Sequence, residues 1–240
     1  MNHRGVLGNR WSLLAGAALA AALPLGAQQG DSRPGIAVLP FENGGSYGQD
    51  RENYEALRRG IAGLLISHLA QNPSIRLVER SESQRLLDEQ SLGAAGRVDR
   101  ETAARVGRLV GARYMIAGTF IDLYGDFRVY ARIIDVETGE ILQVARPDVK
   151  LRELRDLDRM TQTLAVSIMT TTKLPSLPPT TRLASRTIPP EAMTMYSRAL
   201  LYEDRGDKAK AIEYYQMAID KFPEFTEAKE GLRKARGSGT

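Results

Sequence analysis

Between Gly111 and Leu142 the chain is rich in β-branched and aromatic residues, and through 127–133 apolar and polar positions alternate with a period of two. Side chains of an extended strand point alternately to opposite faces, so the pattern predicts strands over 114–123 and 127–136 and a third running to Leu142. Tyr-Gly-Asp (124–126) and Glu-Thr-Gly-Glu (137–140) supply tight turns, which makes the stretch an antiparallel meander. In its middle strand Phe127, Val129, Ala131 and Ile133 share one face, while Arg128, Tyr130 and Arg132 share the other. One face is therefore expected in the core, with the second solvated or used as a contact surface.

The flanking patterns are mostly helical. Gly35–Phe41 is an apolar run of strand length that Pro40 limits, and the glycine-rich 42–51 that follows lacks the Gly-Lys-Ser/Thr ending of a phosphate cradle, so it is expected to be a surface loop. Residues 53–71 carry Leu57, Ile61, Leu64, Leu65 and Leu69 at helical spacing, with Ala56, Gly60 and Gly63 expected to let that helix approach a sheet closely. Pro73 ends it. A short strand over 75–78 leads to a helix capped by Ser81 or Ser83 and running through Leu86 and Leu87 to Gln90. After a break at Gly93–Gly96, Asp99 caps a helix with Ala103, Val106, Leu109 and Val110 on its stripe, and Gly111 stops it. Beyond the meander, Leu151, Leu154, Leu157, Thr161, Leu164 and Ile168 predict a long amphipathic helix lying across the sheet. The fold class is α/β (α+β): a mixed sheet ending in an antiparallel meander, covered by helices, with a small all-α hairpin after it.

Composition sets the compartment. Arg4 and Arg10, the Ala/Leu-rich run Leu13–Leu25 and Leu-Gly-Ala before Gln28 form a signal segment, residues 1–27, with cleavage between Ala27 and Gln28. Retention as an uncleaved anchor is the other reading; against it, the apolar run is shorter than the ~20 residues a bilayer span needs. Cleavage removes two arginines and no acid, lowering the formal charge from +4 to +2, and bases are interspersed with acids, so nucleic acid is not an expected partner. The sequence contains no cysteine, which excludes disulfides, thiol chemistry and a lipid-bearing cysteine. The expected location is the periplasm.

Three further segments follow. Residues 34–172 form the α/β domain, the Pro/Thr/Ser-rich 173–190 a linker, and 191–236 a helical unit. In that unit Ala199, Tyr202, Ala211, Tyr215, Ala218 and Pro223 fall on signature positions, so it resembles a single tetratricopeptide repeat followed by a polar capping helix from Thr226. It departs from the repeat at Met195, where Trp is preferred, and at Arg198, where Leu is preferred, which is expected to weaken the packing of its first helix. The resemblance places Met193, Tyr196, Leu200 and Glu203 on the concave face, for binding a partner or for packing within the chain. A lone repeat buries too little to stand alone, so it is expected to dock on the first domain, a second copy or a partner.

The order strand, helix, short strand, helix, strand and meander, carried by Ile36–Phe41, Leu77–Ser81, Leu109–Gly118 and Ile133–Ile141, resembles the curli production assembly/transport component CsgG family over residues 35–169. Related domains occur in the N-terminal part of TolB and in lipoprotein activators of penicillin-binding proteins. The resemblance implies a non-enzymatic scaffold that binds cell-envelope proteins during assembly or secretion, with self-association into a homo-oligomer and peripheral outer-membrane association left open. A second reading is a subunit of a curli-type outer-membrane channel. It would need an acyl anchor or long membrane hairpins, and neither is visible in the short strands of 118–142. A third is a hydrolase or nucleotide-binding enzyme using His68, the one histidine after the signal segment, with Asp122, Asp126 and Asp135. Those acids sit beside turns, where Asp is common for local reasons, and no metal-ligand spacing, nucleophile elbow or Walker motif is present. No catalytic, cofactor-binding or metal-binding residue is therefore assigned.

Overall fold

A computed structural model of the chain describes residues 31–45, 51–89, 99–123, 126–145, 156–174 and 186–237. The elements described all lie within one compact unit, Arg33–Thr240. Ala27 and Gln28, Gly93–Gly96, Leu151, Leu154 and most of the 173–190 linker lie outside the described residues.

The elements alternate as expected of a mixed α/β fold. β1 (Gly35–Val38) and β2 (Glu42–Asn43) precede α1 (Arg51–Ala70); β3 (Arg76–Leu77), α2 (Arg80–Glu89) and α3 (Arg100–Leu109) follow. The meander is β4 (Tyr114–Leu123), β5 (Asp126–Asp135) and β6 (Ile141–Ala145), after which come α4 (Leu157–Thr171), α5 (Pro190–Asp204), α6 (Lys208–Lys221) and α7 (Thr226–Arg236). The strand order is β3-β1-β4-β5-β6, with β2 pairing β4 beyond the end of β1. β1 runs parallel to β3 and β4, whereas β4, β5 and β6 are antiparallel.

Local chemistry sets the boundaries. Asp99 caps α3 as its side chain accepts the Thr102 N–H at 2.7 Å, and this bond holds its carboxyl below the usual range. Gly111, at φ +64°, supplies the left-handed residue after the helix. α2 does not begin at a serine cap: it starts at Arg80, the Glu79 carbonyl accepts from Glu82 and Ser83, and Ser83 is buried. Leu109 also departs from its expected stripe and is 57% exposed, leaving Ala103, Val106 and Val110 to pack.

Both faces of the sheet are used. On the first, Ile36, Val38, Ile116, Phe120, Phe127, Val129, Ala131 and Ile133 share a core with Leu57, Ile61, Leu64 and Leu65 of α1 and Leu164 and Ile168 of α4. Phe120 and Phe127 stack across β4 and β5, ring centres 5.6 Å apart. The second face was expected to lie open, and along Arg128, Tyr130 and Arg132 it is exposed to half-buried. Its other end is covered: Ala37, Leu39, Met115, Ala117, Ile134 and Val136 form a second core with Leu87 of α2 and Val106 of α3. The period-two pattern in β5 breaks at Ile133-Ile134, where both faces turn apolar, and α2 and α3 cover the sheet from there.

β4 and β5 are ten residues each, the length expected of 114–123 and 127–136, and that is long enough for membrane strands. Their apolar face is committed to the first core.

Candidate functional site

The side of α1 that carries Gly60, Gly63 and Ser67 does not face the sheet. Gly60 meets Ser197 and Met193, and Gly63 meets Tyr196 and Leu200, all on α5. At Gly60 a Cβ would lie 2.6 Å from the Met193 methyl, so a larger residue is excluded by helix-to-helix approach rather than by a strand. The sequence expectation of close approach holds, but its partner is α5.

The four concave-face residues are thereby placed. Met193, Tyr196 and Leu200 are buried beneath α1 of the same chain, and Glu203 accepts from Arg80 at 2.7 Å and from the Tyr215 hydroxyl at 2.9 Å. Of the six signature positions, Ala199, Ala211, Ala218 and Tyr215 are buried, Tyr202 stacks on Tyr214 at 5.3 Å, and Pro223 is exposed after α6. Arg198, expected to weaken α5, instead lies over the Tyr214 ring and donates to Asn53 of α1 at 3.1 Å. It ties α5 to α1 where leucine would only fill space.

Two ion networks seal this seam. In the first, Asp204, only 4% exposed at its side chain, accepts from Arg59 at 2.6 Å and pairs with Arg80. Burial would lower the pKa of Arg80, but Asp204 and Glu203 outweigh it and push it up. In the second, Arg186 donates to Asp158 at 3.2 Å and to Glu227 at 2.7 Å, and Glu227 also accepts from Ser67 at 2.9 Å. His68 Nε2 lies 3.2 Å from Asp158 without meeting the geometry of a hydrogen bond. Burial would raise the Asp158 pKa; His68 and Arg186 overcome it and hold the carboxyl low.

Asp158 is thus the carboxylate beside His68, and sequence spacing could not reveal it. The acids considered as its companions lie elsewhere. Asp122 accepts from Tyr54 at 2.9 Å at one end of the β4–β5 ladder, where Asp126 opens β5. Asp135, at the other end, accepts from the Glu137 and Thr138 amides and pairs with Arg113 at 2.8 Å. Those are the local bonds of a turn. Among the described residues, no group of three or more His, Cys, Asp or Glu side chains is arranged to hold a metal ion. Nor, among them, is any helix long and apolar enough to cross a membrane.

Beside the seam lies a cleft of about 630 Å³ between the C-terminal half of α1, the start of α2, and α5 and α7. Ile66, Leu77 and Leu200 give it apolar wall, and Tyr196, Glu227 and Glu230 give it polar wall.

Fold and seam together define an α/β scaffold with a docked helical hairpin. Residues 25–127 match the family model of the curli production assembly/transport component CsgG, a stretch that runs from before β1 into the start of β5. Among solved structures, it is similar to TolB from Acinetobacter baumannii at 16% identity and a TM-score of 0.37, covering 59% of this chain and 29% of TolB. The C-terminal domain of LpoB from Salmonella enterica is 22% identical at a TM-score of 0.34, with 51% of this chain and 87% of that one covered. A PelC dodecamer from Paraburkholderia phytofirmans gives 13%, 0.30, 60% and 90%. Scores of this size say nothing of activity or partner. Comparison with curated proteins finds no match.

Proposed function

We propose that this chain is a non-enzymatic periplasmic protein that binds cell-envelope proteins during assembly or secretion. The observation that carries the reading is the match of residues 25–127 to the CsgG family model. The proposed organisation is a signal peptide over 1–27, the α/β domain over 34–172, a Pro-rich linker over 173–190 and a single tetratricopeptide-type unit over 191–236. The seam supports a scaffold role. His68 and Asp158, a pair that could otherwise serve as base and orienting acid, are buried, and Asp158 is bound by Arg186. A helical unit bound through Arg59, Arg80 and Arg186 presents α6 and α7 as a fixed outer surface.

The test is fractionation of cells expressing the full chain, followed by intact-mass measurement, light scattering and crosslinking in the envelope. A soluble periplasmic species starting at Gln28 that crosslinks to envelope proteins is expected. A species extracted only by detergent and assembled as a large ring would replace this reading with the channel subunit. Turnover of a nucleotide or ester panel would replace it with an enzyme.

A further inference from the structure

The cleft beside the seam has chemistry that folding leaves unused. Tyr196 is 4% exposed, yet among the described residues its hydroxyl has no hydrogen-bond partner, and it lines the cleft at Gly63. The ring is buried, but the hydroxyl is not one of the buried side-chain atoms left without a partner, which among the described residues are His68 Nε2, Ser83 Oγ and Ser197 Oγ; it sits at the cleft wall beside Gly63. Burial first, then the Glu227 charge, pushes its pKa up, so it remains a donor. It can therefore donate to an acceptor that enters the cleft.

The charged wall asks for a cation. Arg80 faces two carboxylates, Glu203 and Asp204, with Arg59 also on Asp204, and Arg186 faces Asp158 and Glu227. Lys234 is taken by Glu79 at 3.3 Å. Glu230 adds a carboxylate that, among the described residues, has no ion pair. The bases are thus occupied and one acid is left over. Ile66, Leu77 and Leu200 complete the lining with aliphatic surface. A volume of about 630 Å³ falls within the ~300–1,000 Å³ of ordinary ligand sites.

We infer that this cleft binds a short peptide segment of a partner protein carrying a lysine flanked by aliphatic residues, its backbone carbonyl accepting from Tyr196 and its ammonium meeting Glu230. A polyamine or a fatty amine offers the cation without an acceptor carbonyl. An acidic peptide or a phosphate group offers acceptors of the wrong charge. The inference rests on the protein-binding reading above and specifies its ligand.

The test uses the full chain and two capped peptides, acetyl-Ala-Leu-Lys-Leu-Ala-amide and the same sequence with Glu in place of Lys, followed by amide chemical-shift titration. Saturable shifts at Gly63, Gly231 and Lys234 are expected with the lysine peptide and not with the glutamate one. Tyr196→Phe removes one neutral hydrogen bond and should weaken binding about fivefold. Glu230→Lys reverses an exposed charge and should weaken it at least tenfold. Tyr196→Phe keeps the buried ring and Glu230 is exposed, so both variants should keep the wild-type melting temperature. No saturable shift, equal shifts with both peptides, or wild-type affinity in Glu230→Lys would overturn the site. Binding that appears only when residues 175–185 are replaced by Gly-Ser of equal length would assign the cleft to the chain itself and overturn an external partner. The broader reading fails separately: envelope crosslinks retained in Glu230→Lys sink the site alone, whereas a wild-type chain that crosslinks to nothing sinks the protein-binding function even if the peptide titration saturates.

Discussion

α1 has two faces of different construction. Toward the sheet, Leu57, Ile61, Leu64 and Leu65 enter a core with Ile36, Val38, Ile116 and Phe120. Toward the C-terminal helices, Gly60 and Gly63 admit α5 at contact distance, while Arg59 and Ser67 reach Asp204 and Glu227. The first face needs only apolar volume and tolerates many sequences. The second needs particular atoms opposite one another, because each buried charge is expensive until its partner arrives. Apolar burial runs from the sheet through α1 into the docked helices, and the ion pairs add a polar complementarity that the sheet face lacks.

The largest expected effect lies on the first face. Phe120→Ala removes a fully buried ring stacked on Phe127 and should cost about 4 kcal/mol, within the range for aromatic truncations in a core. Denaturant unfolding would measure it, and a loss below ~1 kcal/mol would mean that the core is not centred on β4.

On the second face, Asp204→Ala leaves Arg59 and Arg80 buried without their shared carboxylate, at an expected cost of about 3 kcal/mol. Hydrogen exchange should show α5–α7 losing protection before β4 and β5. Uniform loss across all elements would contradict a seam that can fail separately. Arg59→Met, Arg80→Met and Asp204→Leu combined should recover part of the stability, since a buried ion cluster is costly to half-break and cheap to replace whole.

Gly60→Ala should cost about 2 kcal/mol by overpacking, because the new methyl points at Met193 and Ser197. Ordinary helix propensity would favour the change by about 1 kcal/mol, so stabilisation instead of loss would show that α5 is not held there.

These contrasts explain what was legible in the sequence. The stripe on α1, the Asp99 cap, the Gly111 stop and the meander each use neighbours a few residues apart, and periodicity or cap chemistry displays them directly. The cover on the second sheet face is not legible in the alternation through Ile133, which ends one residue before both faces turn apolar. The seam was beyond local pattern: Arg59 and Asp204 are 145 positions apart, and Arg80 and Asp204 are 124 apart. Gly60 and Gly63 announced a close approach but not its partner, and His68 gave no sign of Asp158. Residues that join two segments declare their type in sequence and their partner only in space.

The smallest effect at neutral pH is the one that most sharpens the comparison. The Asp158 carboxyl is held below its unfolded value by His68 and Arg186, against the opposing effect of burial. A depressed folded pKa contributes stability that is fully present above the unfolded value of about 4 and is lost as pH falls through the lower folded value. The seam should therefore weaken in acid while the apolar core under α1 does not respond. Exchange rates in α5–α7 measured from pH 6 to pH 3 should rise relative to those in β4 and β5 once pH passes below about 4. In Asp158→Asn part of that pH dependence should disappear, because the substituted group no longer titrates. An unchanged acid response in Asp158→Asn would remove Asp158 as the seam's acid-sensitive contact.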